Sequence, residues 1–81
     1  PGRMKLPRDM DAATLIKALT QLGYQPVRQT GSHIRLECNN PKHSITIPNH
    51  RPLRVGTLAA IVSEIATHQK IEREALVRLL S

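Results

Sequence analysis

The residues best placed to do chemistry in this chain lie in Gly31-Ser32-His33-Ile34-Arg35-Leu36, where a tight turn delivers a histidine onto the first position of a strand. A histidine side chain ordinarily titrates near pH ~6.5, so it can give and take a proton at neutral pH. Arginine offers a planar fork of donors shaped for a phosphate group. Strict alternation through His33-Ile34-Arg35-Leu36-Glu37 turns Ile34 and Leu36 inward and leaves His33, Arg35 and Glu37 on the other face. Same-face neighbours on a strand stand roughly 7 Å apart. Arg28 before the turn, and Arg51 and Arg54 in a later basic loop, can add to the same positive field, in a direction the sequence does not define.

Such a set suits cleavage of RNA without a metal. That reaction needs a base for the 2′-OH proton, an acid for the leaving oxygen and cations for the charge that builds on the phosphate. On spacing alone, however, a histidine at a hairpin edge is more often an exposed residue with no role. The other histidines carry weaker signals. His43 is in phase with Ile45, which predicts partial burial at a strand edge. His50 reads as an idle loop residue, a second proton-transfer group or a phosphate contact. His68 falls at a helix end, where a cation complements the dipole. His33, His43 and His50 match no closely spaced zinc pattern, and Glu37 is the one carboxylate near them on the strands, so neither metal nor cofactor is expected. Ser32 lacks the strand-to-helix elbow of a serine nucleophile. Gln69-Lys70 is a weak turn for a helix-turn-helix reader, and the last helix shows no basic recognition face.

Composition narrows the partner. Twelve Lys and Arg against six Asp and Glu give a formal net charge of +6 in 81 residues, with a pI of about 10.5, which points to nucleic acid or an acidic protein. A domain this small buries only about 60–65% of its unfolded surface. Its 40% hydrophobic residues include no Phe or Trp and one Tyr, so the core is aliphatic and leaves little room for a deep pocket. A shallow, surface-borne site for a macromolecule is the expectation. The lone cysteine, Cys38, excludes an internal disulfide and a cysteine-based zinc site, and fits a reducing cytoplasm. No run approaches the ~18 apolar residues of a membrane helix. Pro1-Gly2-Arg3 reads as a cloning remnant, leaving residues 4–81 as one domain.

The elements that must position His33 follow from periodicity. Ala12, Leu15, Ile16, Leu19 and Leu22 form the stripe of a helix over about residues 11–22, with Asp11 as N-cap and Gly23 past its end. Tyr24–Thr30, His33–Glu37 and His43–Ile47 read as strands, separated by Gly31-Ser32 and Asn39-Asn40-Pro41 and closed by Pro48. Leu58, Ile61, Val62 and Ile65 mark a second helix opening around Gly56-Thr57, and Ile71, Ala75, Leu76, Leu79 and Leu80 a short third one. The expected fold is α+β: a two-layer α-β-β-β-α domain with a three-stranded antiparallel sheet and an extra C-terminal helix.

Lys5-Leu6-Pro7-Arg8, Leu22-Gly23-Tyr24, Arg28-Gln29-Thr30-Gly31-Ser32-His33, Thr46-Ile47-Pro48-Asn49-His50 and Val55-Gly56-Thr57-Leu58 together resemble the HicA toxin family, in order and spacing, over nearly all of residues 5–68. The resemblance implies a small mRNA interferase of a type II toxin–antitoxin system with a double-stranded-RNA-binding-like (dsRBD-like) fold. It maps the family's catalytic histidine onto His33. It also implies a cytoplasmic protein whose partner is a HicB-like antitoxin, bound over this site in a toxin–antitoxin hetero-oligomer. The RNA-contacting set is then Arg28, Ser32, Arg35, His50, Arg51 and Arg54. A helix near residues 72–80 departs from the shortest members. Cutting requires a strand flexible enough to align the 2′-OH with its phosphate, so single-stranded or loop mRNA is the expected substrate. A non-catalytic RNA-binding module and a basic domain that docks an acidic partner are the alternatives.

Overall fold

A computed structural model of the chain describes residue 6, residues 9–39 and residues 42–80. Pro1-Gly2-Arg3, most of Lys5-Leu6-Pro7-Arg8, and the Asn40-Pro41 part of the second turn signal lie outside the described residues. The element order is α1 (Ala12–Thr20), β1 (Gln25–Thr30), β2 (His33–Cys38), β3 (His43–Pro48), α2 (Val55–Gln69) and α3 (Arg73–Leu80). This is the expected α+β arrangement, with a β1-β2-β3 antiparallel sheet. No described helix is long and apolar enough to cross a membrane.

Asp11 caps α1 as its sequence position predicts: its Oδ1 accepts from the Thr14 amide at 2.9 Å. That hydrogen bond holds the Asp11 carboxyl below its ordinary value. The helix stops at Thr20 rather than Leu22 because the chain tightens there. Gln21, Leu22 and Gly23 donate to carbonyls three residues back, and Gly23 then takes a φ of 93°. Pro48 is the last residue of β3 rather than the first beyond it.

The core lies between the helices and one face of the sheet. Leu15 and Leu19 of α1, Leu36 of β2, Ile45 and Ile47 of β3, and Leu58, Ile61, Val62 and Ile65 of α2 are all buried. In α3 the inward residues are Leu76, Val77 and Leu80. Val77 takes the place the simple stripe gave to Ala75, which is exposed, while Leu79 and Ile71 are half-buried. The thinnest dimension, 17 Å, is that of two layers, so the outer face of the sheet is left open. Strand β1 is exposed at all six positions, beyond the shelter of the helices.

Candidate functional site

The β1–β2 hairpin turns through Gly31-Ser32, with Thr30 and His33 as Cα partners. Gly31 has φ 59° and is followed by a residue outside the left-handed region. This is the type II′ pattern, whose twist suits a two-residue hairpin and whose first central position favours glycine. From the far side, the Asn49 amide donates to the Ser32 carbonyl at 2.6 Å, and His33 is the Cα partner of Pro48. His33 thus starts the central strand with a neighbour on each flank. Its side chain is on the open face, as alternation predicts.

The register decides which cations join it. An extra residue in β1 shifts the pairing between Pro26 and Arg28, after which Arg28 stands opposite Arg35. Arg28, Thr30, His33, Arg35 and Thr46 line one shallow depression of ≈ 220 Å³. A second, of ≈ 290 Å³, shares Arg28 and Arg35 and extends to Val27 and Glu37. The Arg35 guanidinium is held in place: Nε donates to Glu37 Oε2 at 3.2 Å and an Nη to Ser44 Oγ at 3.2 Å. Arg28 makes no ion pair among the described residues. The depression therefore combines one oriented cation, one unpaired cation and an imidazole, all open to solvent. A phosphodiester laid across it meets two guanidinium groups beside the histidine, since the Arg28–Arg35 pair lies two residues along the strands from the Thr30–His33 pair.

The remaining predicted contacts sit apart. Ser32 is exposed in the turn and, like His50, Arg51 and Arg54, does not line the depression. Arg51 turns towards the start of α1, with Nε 3.8 Å from Asp11 Oδ2. Arg54 is the exposed residue preceding α2. His50 is pinned by its backbone, its amide donating to the Pro48 carbonyl and its carbonyl accepting from the Ala12 amide. Two members of the depression, Thr30 and Thr46, were not singled out from sequence. The signal for Thr30 existed: a two-residue turn pairs position 30 with 33.

His43 and His68 belong to a different cluster, on the helix side of the sheet. The Tyr24 hydroxyl lies 2.6 Å from His43 Nδ1 and accepts from Gln69 Nε2 at 3.3 Å. His43 Nε2 is 3.1 Å from Glu64 Oε2, and its ring stacks on His68 with centroids 3.9 Å apart. A chain of donors links Gln69 to Tyr24, Tyr24 to His43 and His43 to Glu64, whereas His68 joins by its ring alone, its Nε2 buried without a hydrogen-bond partner among the described residues. Burial pushes the Tyr24 hydroxyl up to about 12. Tyr24 is fully buried, so no substrate reaches it, and the chain ties the ends of the strands to α2. Among the described residues, no three His, Cys, Asp or Glu side chains converge where a metal ion could sit.

Neither a curated protein nor a solved structure matches the chain. The family model described as the HicA toxin of bacterial toxin–antitoxin systems matches residues 12–67, which run from the start of α1 almost to the end of α2 and enclose the whole His33 face. With more than half its length under that model, the chain belongs to the HicA toxin family.

Proposed function

We propose that this toxin is a metal-independent endoribonuclease, an mRNA interferase that arrests translation and growth, with His33 as its general acid/base. The observation that carries the reading is an exposed histidine sharing one depression with Arg28 and Arg35 on the open face of a strongly basic domain. In the step this supports, His33 takes the ribose 2′-OH proton, the 2′-oxygen bonds to phosphorus, and the bond to the 5′-oxygen breaks as the His33 imidazolium returns that proton to the leaving 5′-oxygen. Arg28 and Arg35 stabilise the charge on the phosphate. Ser32, His50, Arg51 and Arg54 lie beyond the depression and serve a longer RNA passing the turn. The substrate is single-stranded or loop mRNA in the cytoplasm. The protein partner is a HicB-like antitoxin that covers the His33 face in a hetero-oligomer.

Purified wild type and His33→Ala, incubated with RNA in EDTA, test this. Cleavage by the wild type and a loss of about 10²–10⁴-fold in the variant are expected. Undiminished cleavage by His33→Ala overturns the histidine's role, and loss of wild-type cleavage in EDTA overturns metal independence. RNA binding without cleavage products marks a non-catalytic RNA-binding module instead.

A further inference from the structure

Two hydroxyl side chains flank His33, and the reading above gives them no part. Thr30 is its direct Cα partner across the β1–β2 pair, and directly opposed residues have Cβ atoms about 4.5–5.5 Å apart. Thr46 is the partner of Arg35, which puts it diagonal to His33 on the other flank. Both are exposed, and both line the depression with Arg28, His33 and Arg35. The other groups there differ in capacity. Guanidinium only donates, which suits the phosphate oxygens of RNA and DNA alike. The imidazole is engaged in proton transfer. Only the threonine hydroxyls can donate and accept through a single atom without changing protonation. That is what a ribose 2′-hydroxyl presents in return, and the 2′-hydroxyl is what distinguishes RNA from DNA at a given site.

We infer that Thr30, with Thr46 on the opposite flank, binds the ribose 2′-hydroxyl beside His33 and makes the depression a ribose-selective subsite. The inference rests on the nuclease reading, in which His33 addresses that hydroxyl, and it assigns the choice of RNA over DNA to a residue other than the histidine. Thr30 contributes through the hydrogen bond it makes to the sugar, so its loss weakens recognition of ribose while the arginine contacts to phosphate persist.

The test uses Thr30→Val, which exchanges hydroxyl for methyl while keeping the β-branched shape that suits a strand. Thr30→Ser restores the hydroxyl. Binding of short RNA and DNA oligonucleotides of one sequence is measured by fluorescence anisotropy on a His33→Ala background, so that RNA stays intact. The expected result is a preference for RNA that falls about tenfold with Thr30→Val, while DNA affinity holds and Thr30→Ser keeps the preference. Cleavage by the variant that retains His33 slows in parallel. Equal binding of RNA and DNA with Thr30 in place, or a preference that Thr30→Val leaves intact, overturns the inference. A wild type that cuts RNA with a Thr30→Val variant altered in neither readout removes the Thr30 role alone. A wild type that cuts nothing, while Thr30→Val erases the RNA preference, removes the nuclease reading and keeps the subsite.

Discussion

Salt dependence tests how many cations meet the RNA. Each phosphate neutralised on a single strand lowers log K by about 0.7 per decade of salt. The depression holds two arginines, Arg28 and Arg35, so an oligonucleotide just long enough to cross it has an expected slope of about −1.4 (0.7 × 2). Raising salt from roughly 50 to 200 mM then weakens binding about sevenfold. A longer RNA that also reaches Arg51 and Arg54 has an expected slope of about −2.8 (0.7 × 4), and the same change in salt costs about fiftyfold. Arg28→Gln brings the short oligonucleotide to about −0.7 and a loss of about 2.6-fold, while Arg51→Gln leaves it unchanged, because Arg51 lies against Asp11 and not in the depression. Anisotropy titrations of the His33→Ala protein across that salt range measure each slope. A short oligonucleotide that already shows the steeper slope, or an Arg28→Gln slope equal to the parent's, refutes the placement of the phosphate between Arg28 and Arg35.

Two further outcomes concern stability. Tyr24→Phe should cost roughly 1–3 kcal/mol at neutral pH by leaving His43 Nδ1 and Gln69 without the hydroxyl that pairs them. The parent, whose buried phenol is pushed up from 10.0 to about 12, should lose stability as pH rises through that window, because the unfolded chain ionises first. Urea titrations from neutral to alkaline pH should show the loss in the parent and not in the variant. Asp11→Ala should lower Tm at neutral pH by removing the α1 cap. Because the carboxyl is held below 3.8 in the folded chain, its contribution is complete above that value and fades as pH falls through the lower one. Melts followed by circular dichroism from neutral to acidic pH should converge for parent and variant in acid.

The face carrying His33 was legible in the sequence because a strand has a period of two: burying Ile34 and Leu36 leaves His33 and Arg35 no other side. The N-cap at Asp11 and the left-handed Gly23 were legible too, since a helix end needs specific chemistry within a residue or two. The direction of Arg28 was half-legible. A two-residue turn implies its pairing with Arg35, but the bulge that carries Pro26 to the opposite face is a local insertion with no compositional mark. Contacts between distant elements left no trace at all. Nothing near His43 announces a carboxylate 21 residues away, because that depends on how α2 settles across the sheet. The approach of Arg51 to Asp11 is set in the same way.

The exposure of β1 bears on self-assembly. An open sheet edge is a template for another edge, and in a cationic protein held at high local concentration it invites fibrous stacking. This edge is a poor template in three respects. Pro26 has no N–H to offer, the bulge at Val27 breaks the even ladder an incoming strand would need, and Arg28 puts a positive charge on the edge of each copy. Val27, half exposed at 53%, is the one apolar residue on that strip besides the proline, and it sits on the irregular step. The same arginine that lines the His33 depression therefore helps to keep copies of this protein dispersed.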